Sequence, residues 1–598
     1  MLNILPERRR LFWGATIFGI AVAGLLLALF LLQLLLVPVL VYIFPGLEAP
    51  FYDLALFGVY RTQDYISFNL TSPQPSIVQW DDSCADGYVF LDPSGPAPGH
   101  HGPLVLDAHG NLVWTSDRFE TTTNLKVQKY RGKQFMTFWS GQKAKTMGTG
   151  SYYMLDDTYR TVHKVDAVGA GVHGDLHEFK ITRDDTALLT VYNRTQADLT
   201  GMGWFRGKDG WIVDSVFQEI DIATGRLLFQ WKASDHFQAA HSYMTNPFGG
   251  YTEGIPFDFF HINSVEKDRS GNYLISSRHF HNVMTINGVT GQVMWELGGR
   301  SDEFKDLSNG KASDFSWQHD ARWVDEEQGI LSLFDNGYAW PHFNAPYSEG
   351  RFIKINFEAQ TAELIQSFPS SGHALSSSQG SVQVITTEEG EDHVFVGYGS
   401  SAVYSEFTTD GQLLCETHFA ASSSFWWERV KSYRAFKLLD WAATPRDWNP
   451  SAVINDGRLY VSWNGATEVA YWELHGAAIE LGQEQGEWEE LDIMEKEGFE
   501  MAFVLPSAPS SKGDGIKAYT HFRVAALDSA RNVLRHSNVV ARPPRSIVSY
   551  VLAAISAILC VAAFTAFWHY RKRGWKQVGN LKQLAQNTID RTKYQKLW

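Results

Sequence analysis

A polar turn leading into an alternating strand, often closed by tryptophan, recurs six times along this chain. It occupies residues 107–114 (DAHGNLVW), 156–162, 221–231 (DIATGRLLFQW), 287–295 (NGVTGQVMW), 356–364 and 408–414, so successive copies lie about 50–70 residues apart. Asp, Asn and Gly make tight turns, and period-two alternation after such a turn is a hairpin signature. Hairpins repeating at this spacing call for one small sheet per repeat, packed against its neighbours. The expected class is therefore all-β, with a six-bladed β-propeller over residues 74–420 and one four-stranded sheet per blade.

A second phrase repeats out of step with the first. His177, His261 and His319 each open a segment that reaches a second strand after a polar turn, and Gln379 takes the leading place in a fourth copy. Equivalent positions in successive repeats stand at equivalent heights. The three histidines are expected on one ring facing the mouth of a central channel. His173 shares the HGDLHEF stretch with His177 and is expected in the same funnel. His279 and His281, in RHFH, are expected to alternate along a strand and share a face. After residue 419 both phrases stop. Alternating stretches at 459–465, 469–474, 518–527 and 537–540 read as a fibronectin/Ig-like β-sandwich over 430–543, with a spacer role.

The flanks differ in character. Residues 11–44 and 547–568 carry no charged side chain, and about 20 apolar residues suffice to cross a bilayer core. Arg8, Arg9 and Arg10 precede the first run, and eight basic residues against Asp590 follow the second. The positive-inside rule then predicts an integral membrane protein with transmembrane helices at both ends. Residues 1–10 and the basic tail 569–598 are expected in the cytosol, and the large middle section lumenal or extracellular. The flanks carry +2 and +7 of a chain total of −15, which leaves the middle at −24. So acidic a section argues against nucleic-acid partners, which need basic patches. Any anionic substrate must meet a locally positive pocket. Cys84 and Cys415 are the only cysteine pair in the middle section, where a disulfide would persist. Asn69 and Asn193 head glycosylation triplets.

HINS at 261–264, SSRH at 276–279, QHDAR at 318–322, FDNG at 334–337 and SQGSVQ at 378–383 resemble the arylsulfotransferase family, in particular its fungal-type members. The resemblance covers roughly residues 75–420. It implies a six-bladed propeller that moves a sulfuryl group from a phenolic sulfate ester to a phenolic acceptor through a histidine intermediate. No cofactor and no nucleotide sulfate donor are implied. By motif position, His261 and His319 match anion-binding or acid–base histidines. Arg351, downstream of FDNG, is the best-placed cation and Arg278 the second, with His177 and His279 as further substrate-binding candidates. The covalent histidine falls to His373, just ahead of SQGSVQ; if that residue lies outside the channel, either His319 must serve or the activity is absent. Asp320 is expected to orient a histidine or to turn the chain. No GxxxxGK[ST], GxSxG or HExxH occurs, which removes the common nucleotide-dependent, serine-hydrolase and zinc-protease readings. The competing reading is a non-catalytic ectodomain that binds ligands or scaffolds partners, since fold alone does not decide function.

Overall fold

The computed structural model describes residues 33–543 apart from 100, 120, 145–146, 203–205, 480–485 and 507–518, with isolated positions in 19–31 and 556–565. The chain is all-β. Six sheets follow one another, each with a four-strand antiparallel meander at its heart. Every copy of the first repeated phrase forms the turn between the third and fourth strands of one sheet. Asp107 shows why: its carboxylate accepts the backbone N–H of His109 at 3.0 Å and of Asn111 at 2.8 Å, which closes the turn locally.

The innermost strands are Ala435–Leu438, Thr121–Tyr130, Phe179–Ile181, Ile262–Lys267, His319–Asp325 and Ser381–Thr386, for sheets one to six. Six apolar clusters fill the spaces between neighbouring sheets, including the space between the sixth and the first. Phe395 and Tyr404 of the sixth sheet pack there with Val89 and Leu106 of the first. The other five clusters are built around Trp114 and Phe138, Tyr152 and Phe179, Phe217 and Tyr273, Leu274 and Leu331, and Phe334 and Val394. The sheets thus form a closed ring.

Closure uses chain from both ends of the ring. Ala435–Leu438 pairs with Tyr88–Leu91 as the inner strand of the first sheet, and Ser76–Gln79 adds to the outer strand of the sixth. The ring therefore extends past residue 420, because its first sheet borrows a strand from beyond the last repeat. Cys84 and Cys415 are joined as a disulfide, Cα to Cα 6.2 Å, across the same junction. Two further sheets, beginning at Ser451–Asn455, enclose a separate core around Trp463, Trp472, Phe503 and Phe522. They dock on the ring where Tyr159, stacked on Trp114, donates to Gly465 O at 2.8 Å. Of the glycosylation candidates, Asn69 is exposed and Asn193 sits half-buried within the strand Thr186–Ala197.

The expected two-span membrane topology is corrected. Among the described residues no helix is long and apolar enough to cross a membrane. Most of 11–32, most of 547–568, and both proposed cytosolic ends lie outside the described residues. The chain beyond residue 44 is tied to the ring: Asp53, at the end of the helix Glu48–Asp53, accepts from His418 of the sixth sheet at 2.7 Å.

At the ring axis Arg434 is fully buried. It donates to Glu178 at 3.2 Å, to Asn124 at 3.0 Å and to Asn263 O at 2.7 Å, and lies 3.4 Å from Asp320. Removing one partner of such a pair strands a buried charge, and Arg434→Ala should cost ~3–5 kcal/mol, read as a lowered denaturant midpoint. A second consequence is pH-dependent. Burial works against a charged His418, but hydrogen bonds to Asp53 and Glu416 outweigh it and push its pKa up to about 9. A raised histidine stabilises fully below its ordinary value of about 6.5 and loses that contribution as pH climbs through about 9. Thermal midpoints should fall over that window, and His418→Gln should flatten the fall.

Candidate active site

One end of the ring axis opens into a cavity of about 730 Å³. All six sheets contribute. His177, His261 and His319 come from the entries to the third, fourth and fifth inner strands, and Gln379 from the entry to the sixth. Tyr433 precedes the first inner strand, and Lys143 is the next-to-last residue of the second strand of the second sheet. Several of these entries are locally irregular. His261, Asp320 and Gln379 hold φ values of 62°, 55° and 70°, a region that residues other than glycine seldom occupy. The pairing registers of the fourth and fifth inner strands also shift there, as at bulges that re-aim a side chain.

Each of the three cavity histidines is anchored through Nδ1. His177 Nδ1 contacts Asp175, His261 Nδ1 lies 2.6 Å from Asp258, and His319 Nδ1 lies 2.7 Å from Asn336 Oδ1. The Asn336 amide donates to Ser376 O and Gln379 O, so its oxygen is the acceptor and His319 carries the proton on Nδ1. Its Nε2 then accepts the Gln379 backbone N–H at 3.1 Å. The Nε2 atoms of His177 and His261 have no hydrogen-bond partner among the described residues. The His177 and His261 rings meet edge to face at 4.6 Å, and Tyr192 stacks on His177 at 4.9 Å. Burial pushes the pKa values of His261, His279 and His319 well below the usual histidine range, with Arg278 adding to the effect on each. These imidazoles are neutral at neutral pH.

Arg278 stands between the histidines and the loop of Ser377, to whose carbonyl it donates at 2.9 Å. Burial brings it down to about 10, so it keeps its charge. Lys143 and Lys431 add two ammonium groups to the lining, against the single carboxylate of Glu428. The mouth is walled by Tyr338, Trp340, Trp426 and Trp427, of which Trp340 and Trp427 are more than 70% exposed. Asp258, His261 and His279 hold donor atoms within 4.8 Å of one another, a set that could take a cation. Against that use, His279 accepts from Arg278 through Nε2 at 2.9 Å and donates to Asp258 O through Nδ1 at 2.8 Å. Both of its nitrogens are thereby occupied beside a guanidinium.

The structure thus gathers His177, His261, His319 and Arg278, with His279 directly behind them. It does not bring Arg351 or His373 to the cavity. Arg351 lies in the third strand of the fifth sheet, paired with Asp335 at 2.7 Å and Glu349 at 2.9 Å. His373 is exposed in a loop beside Tyr347. His173 is exposed and does not line the cavity either. The stretch 278–281 is a turn between two strands and not a strand. His281 leaves it to stack on Tyr243 at 4.2 Å. Asp175, Asp258, Asn336, Tyr433 and Lys143 escaped the sequence reading. Of these, only the Asp two residues ahead of His177 and the Asn of FDNG stood inside quoted motifs.

Residues 126–420 match the family model described as Arylsulfotransferase (ASST), and on this match the ring segment belongs to the arylsulfotransferase family. No curated protein matches the chain. Among solved structures, a protein of unknown function from Bacteroides caccae is similar at 12% identity and a TM-score of 0.33, covering 60% of this chain and 100% of its own. A periplasmic gluconolactonase from Pseudomonas aeruginosa is similar at 11% identity and a TM-score of 0.30, covering 71% and 100%. Both likenesses are too distant to bear on function.

The cavity's charge has a measurable consequence. Burial and the neighbouring Lys431 pull Lys143 down to about 8, so its ammonium is lost as pH rises through that value. Binding of an aromatic anion such as a naphthalenesulfonate should weaken over the same range. Lys143→Met should remove that pH dependence, read by fluorescence titration.

Proposed function

We propose that the six sheets are the blades of one six-bladed propeller whose cavity transfers a sulfuryl group from a phenolic sulfate ester to a phenolic acceptor. A histidine carries the group in between, and no nucleotide donor takes part. The family match supports arylsulfotransferase-type activity. The observation that carries the finer reading is a cationic cavity lined by neutral imidazoles within an acidic chain. Sulfuryl transfer, like phosphoryl transfer, spreads charge over three equatorial oxygens, and catalysis is mostly positioning plus positive stabilisers. Arg278, Lys143 and Lys431 supply that charge. A neutral imidazole with a free Nε2 is a competent nucleophile or proton acceptor. The aromatic wall at the mouth offers flat faces to the aryl rings of donor and acceptor. In this reading the two sheets after residue 450 act as a spacer.

The test is transfer by the full-length protein from 4-nitrophenyl sulfate to phenol, followed as nitrophenolate release that depends on acceptor. His261→Ala and Arg278→Met should each lower the rate at least ~10²-fold, the usual scale for losing an acid–base or charge-stabilising group. Because His261 and His319 stay neutral well below the ordinary histidine value, neither should give the rate an acid limb near 6.5. A wild-type protein that transfers from no phenolic sulfate would leave the non-catalytic binding module as the function.

A further inference from the structure

The seam where the sixth sheet meets the first holds a second kind of pocket, of about 410 Å³, which shares no lining residue with the axial cavity. Two loops face each other across it. Asp82 and Asp86 lie on the chain between Ser76–Gln79 and Tyr88–Leu91. Glu388, Glu389 and Glu391 lie in the turn between Ser381–Thr386 and Asp392–Gly397. Among the described residues no lysine or arginine lines this pocket, and none of the five carboxylates has a hydrogen-bond or ion-pair partner. Like charges gathered in this way repel one another, and nothing in the lining offsets them.

One buried side chain shares the pocket with them. His393, in the strand Asp392–Gly397, is only 3% exposed. Its Nδ1 lies 2.7 Å from Glu406 Oε1. A carboxylate accepts, so Nδ1 carries the proton and the lone pair of the neutral ring is on Nε2. Nε2 has no partner among the described residues, yet it is not sealed in the core as His281 Nε2 is. Glu406 is itself held, by the Ala85 N–H at 2.8 Å and the Lys437 ammonium at 2.6 Å. A histidine that ligates a metal characteristically donates its other ring N–H to a carboxylate, which orients the ring and raises its basicity. Glu406 and His393 have that form, and the acidic loops stand on the pocket side with oxygen donors.

We propose that this seam pocket binds one divalent transition-metal ion of the zinc class, with His393 Nε2 as its nitrogen ligand and carboxylates of both loops as its oxygen ligands. Nitrogen ligation favours that class over Ca²⁺ and Mg²⁺, which take oxygen donors. Among the described residues only Asp258, His261 and His279 already hold three donor atoms within 4.8 Å. The seam carboxylates are exposed, so the cation draws them in from both loops. Binding then ties the first sheet to the sixth beside the disulfide of Cys84, which lines the same pocket. The inference stands apart from the sulfuryl-transfer reading.

The experiment uses the full-length protein, stripped with a chelator and dialysed against Zn²⁺, with bound metal measured directly and thermal midpoints recorded. The wild type should hold one Zn²⁺ that excess Ca²⁺ does not displace, and its midpoint should rise with zinc concentration. His393→Gln should lose that ion. Glu406→Gln, which alters the group behind the ligand, should weaken it by about 10–100-fold. Because both residues are buried, the exposed pair Glu388→Gln with Glu391→Gln gives a variant that keeps its fold and should also bind more weakly. The wild type supplies a further reading: Cu²⁺ with ascorbate oxidises the ligands that hold it, and the peptide containing His393 should be oxidised unless Zn²⁺ is added first. Zinc held in full by His393→Gln, displaced by Ca²⁺, or not bound at all overturns the proposal, as does oxidation that spares the His393 peptide.

Discussion

Glu178 and Arg434 meet at the point where all six sheets converge. Both are buried to within 1% of full burial, and neither charge could remain there alone. Around them stand Lys126 from the second sheet, Asn263 from the fourth, and Asp320 and Arg322 from the fifth. Val382 of the sixth donates its backbone N–H to Asp320 at 3.3 Å. Burial alone would raise Glu178, but Arg322, Arg434 and Lys126 outweigh it and hold its pKa well below the carboxylate range. Such a cluster is weak as a source of stability but demanding about geometry, because every member needs its partners in place. In this ring it specifies how six separate sheets align. Arg434 sits one residue before the strand that closes the ring, so closure and charge satisfaction are one event.

The same cluster divides the axis. On one side lies the histidine cavity. On the other, farther along the inner strands, a pocket of about 300 Å³ is lined by Lys126, Lys180, Arg322 and Lys437. Each of those cations has a carboxylate within 3.4 Å. The histidine side is different. Arg278 and Lys143 form no salt bridge there among the described residues, so the unbalanced positive charge of an acidic protein is concentrated at one end of its axis.

How much of this was legible in the sequence depends on how local the physics is. The six turns were readable because an Asp or Asn, or in the sixth Thr408, carries its own hydrogen bonds within four residues. The register of His177, His261 and His319 was readable because repeated sheets put equivalent residues at equivalent heights. What could not be read was assembled across sheets. Tyr433 and Arg434 lie in a stretch without any repeat, and their importance appears only when that stretch re-enters the first sheet. Arg351 looked well placed by its distance from FDNG, yet the third strand of a sheet faces its neighbours and not the axis. There Arg351 serves Asp335 and Glu349. The RHFH stretch mimicked alternation because a four-residue turn can space two histidines as a strand does. The apolar flanks, by contrast, are compositional signals, and no described helix has the length to bear out a span.

The fourth copy of the histidine phrase, where Gln379 stands, carries the last step. Had the sixth sheet kept an imidazole there, the cavity would hold four in register. Gln379 instead takes a left-handed backbone at φ 70°, and its amide N–H points at His319 Nε2. That bond, with Asn336 at Nδ1, occupies both nitrogens of His319 and fixes its tautomer. A residue that reads as the missing member of a ring is therefore bonded through its backbone to its neighbour's imidazole. The imidazole nitrogens without a partner among the described residues, Nε2 of His177 and of His261, are left on the third and fourth sheets, where the two rings meet at 4.6 Å. The asymmetry among the three cavity histidines follows from a single departure from the repeat.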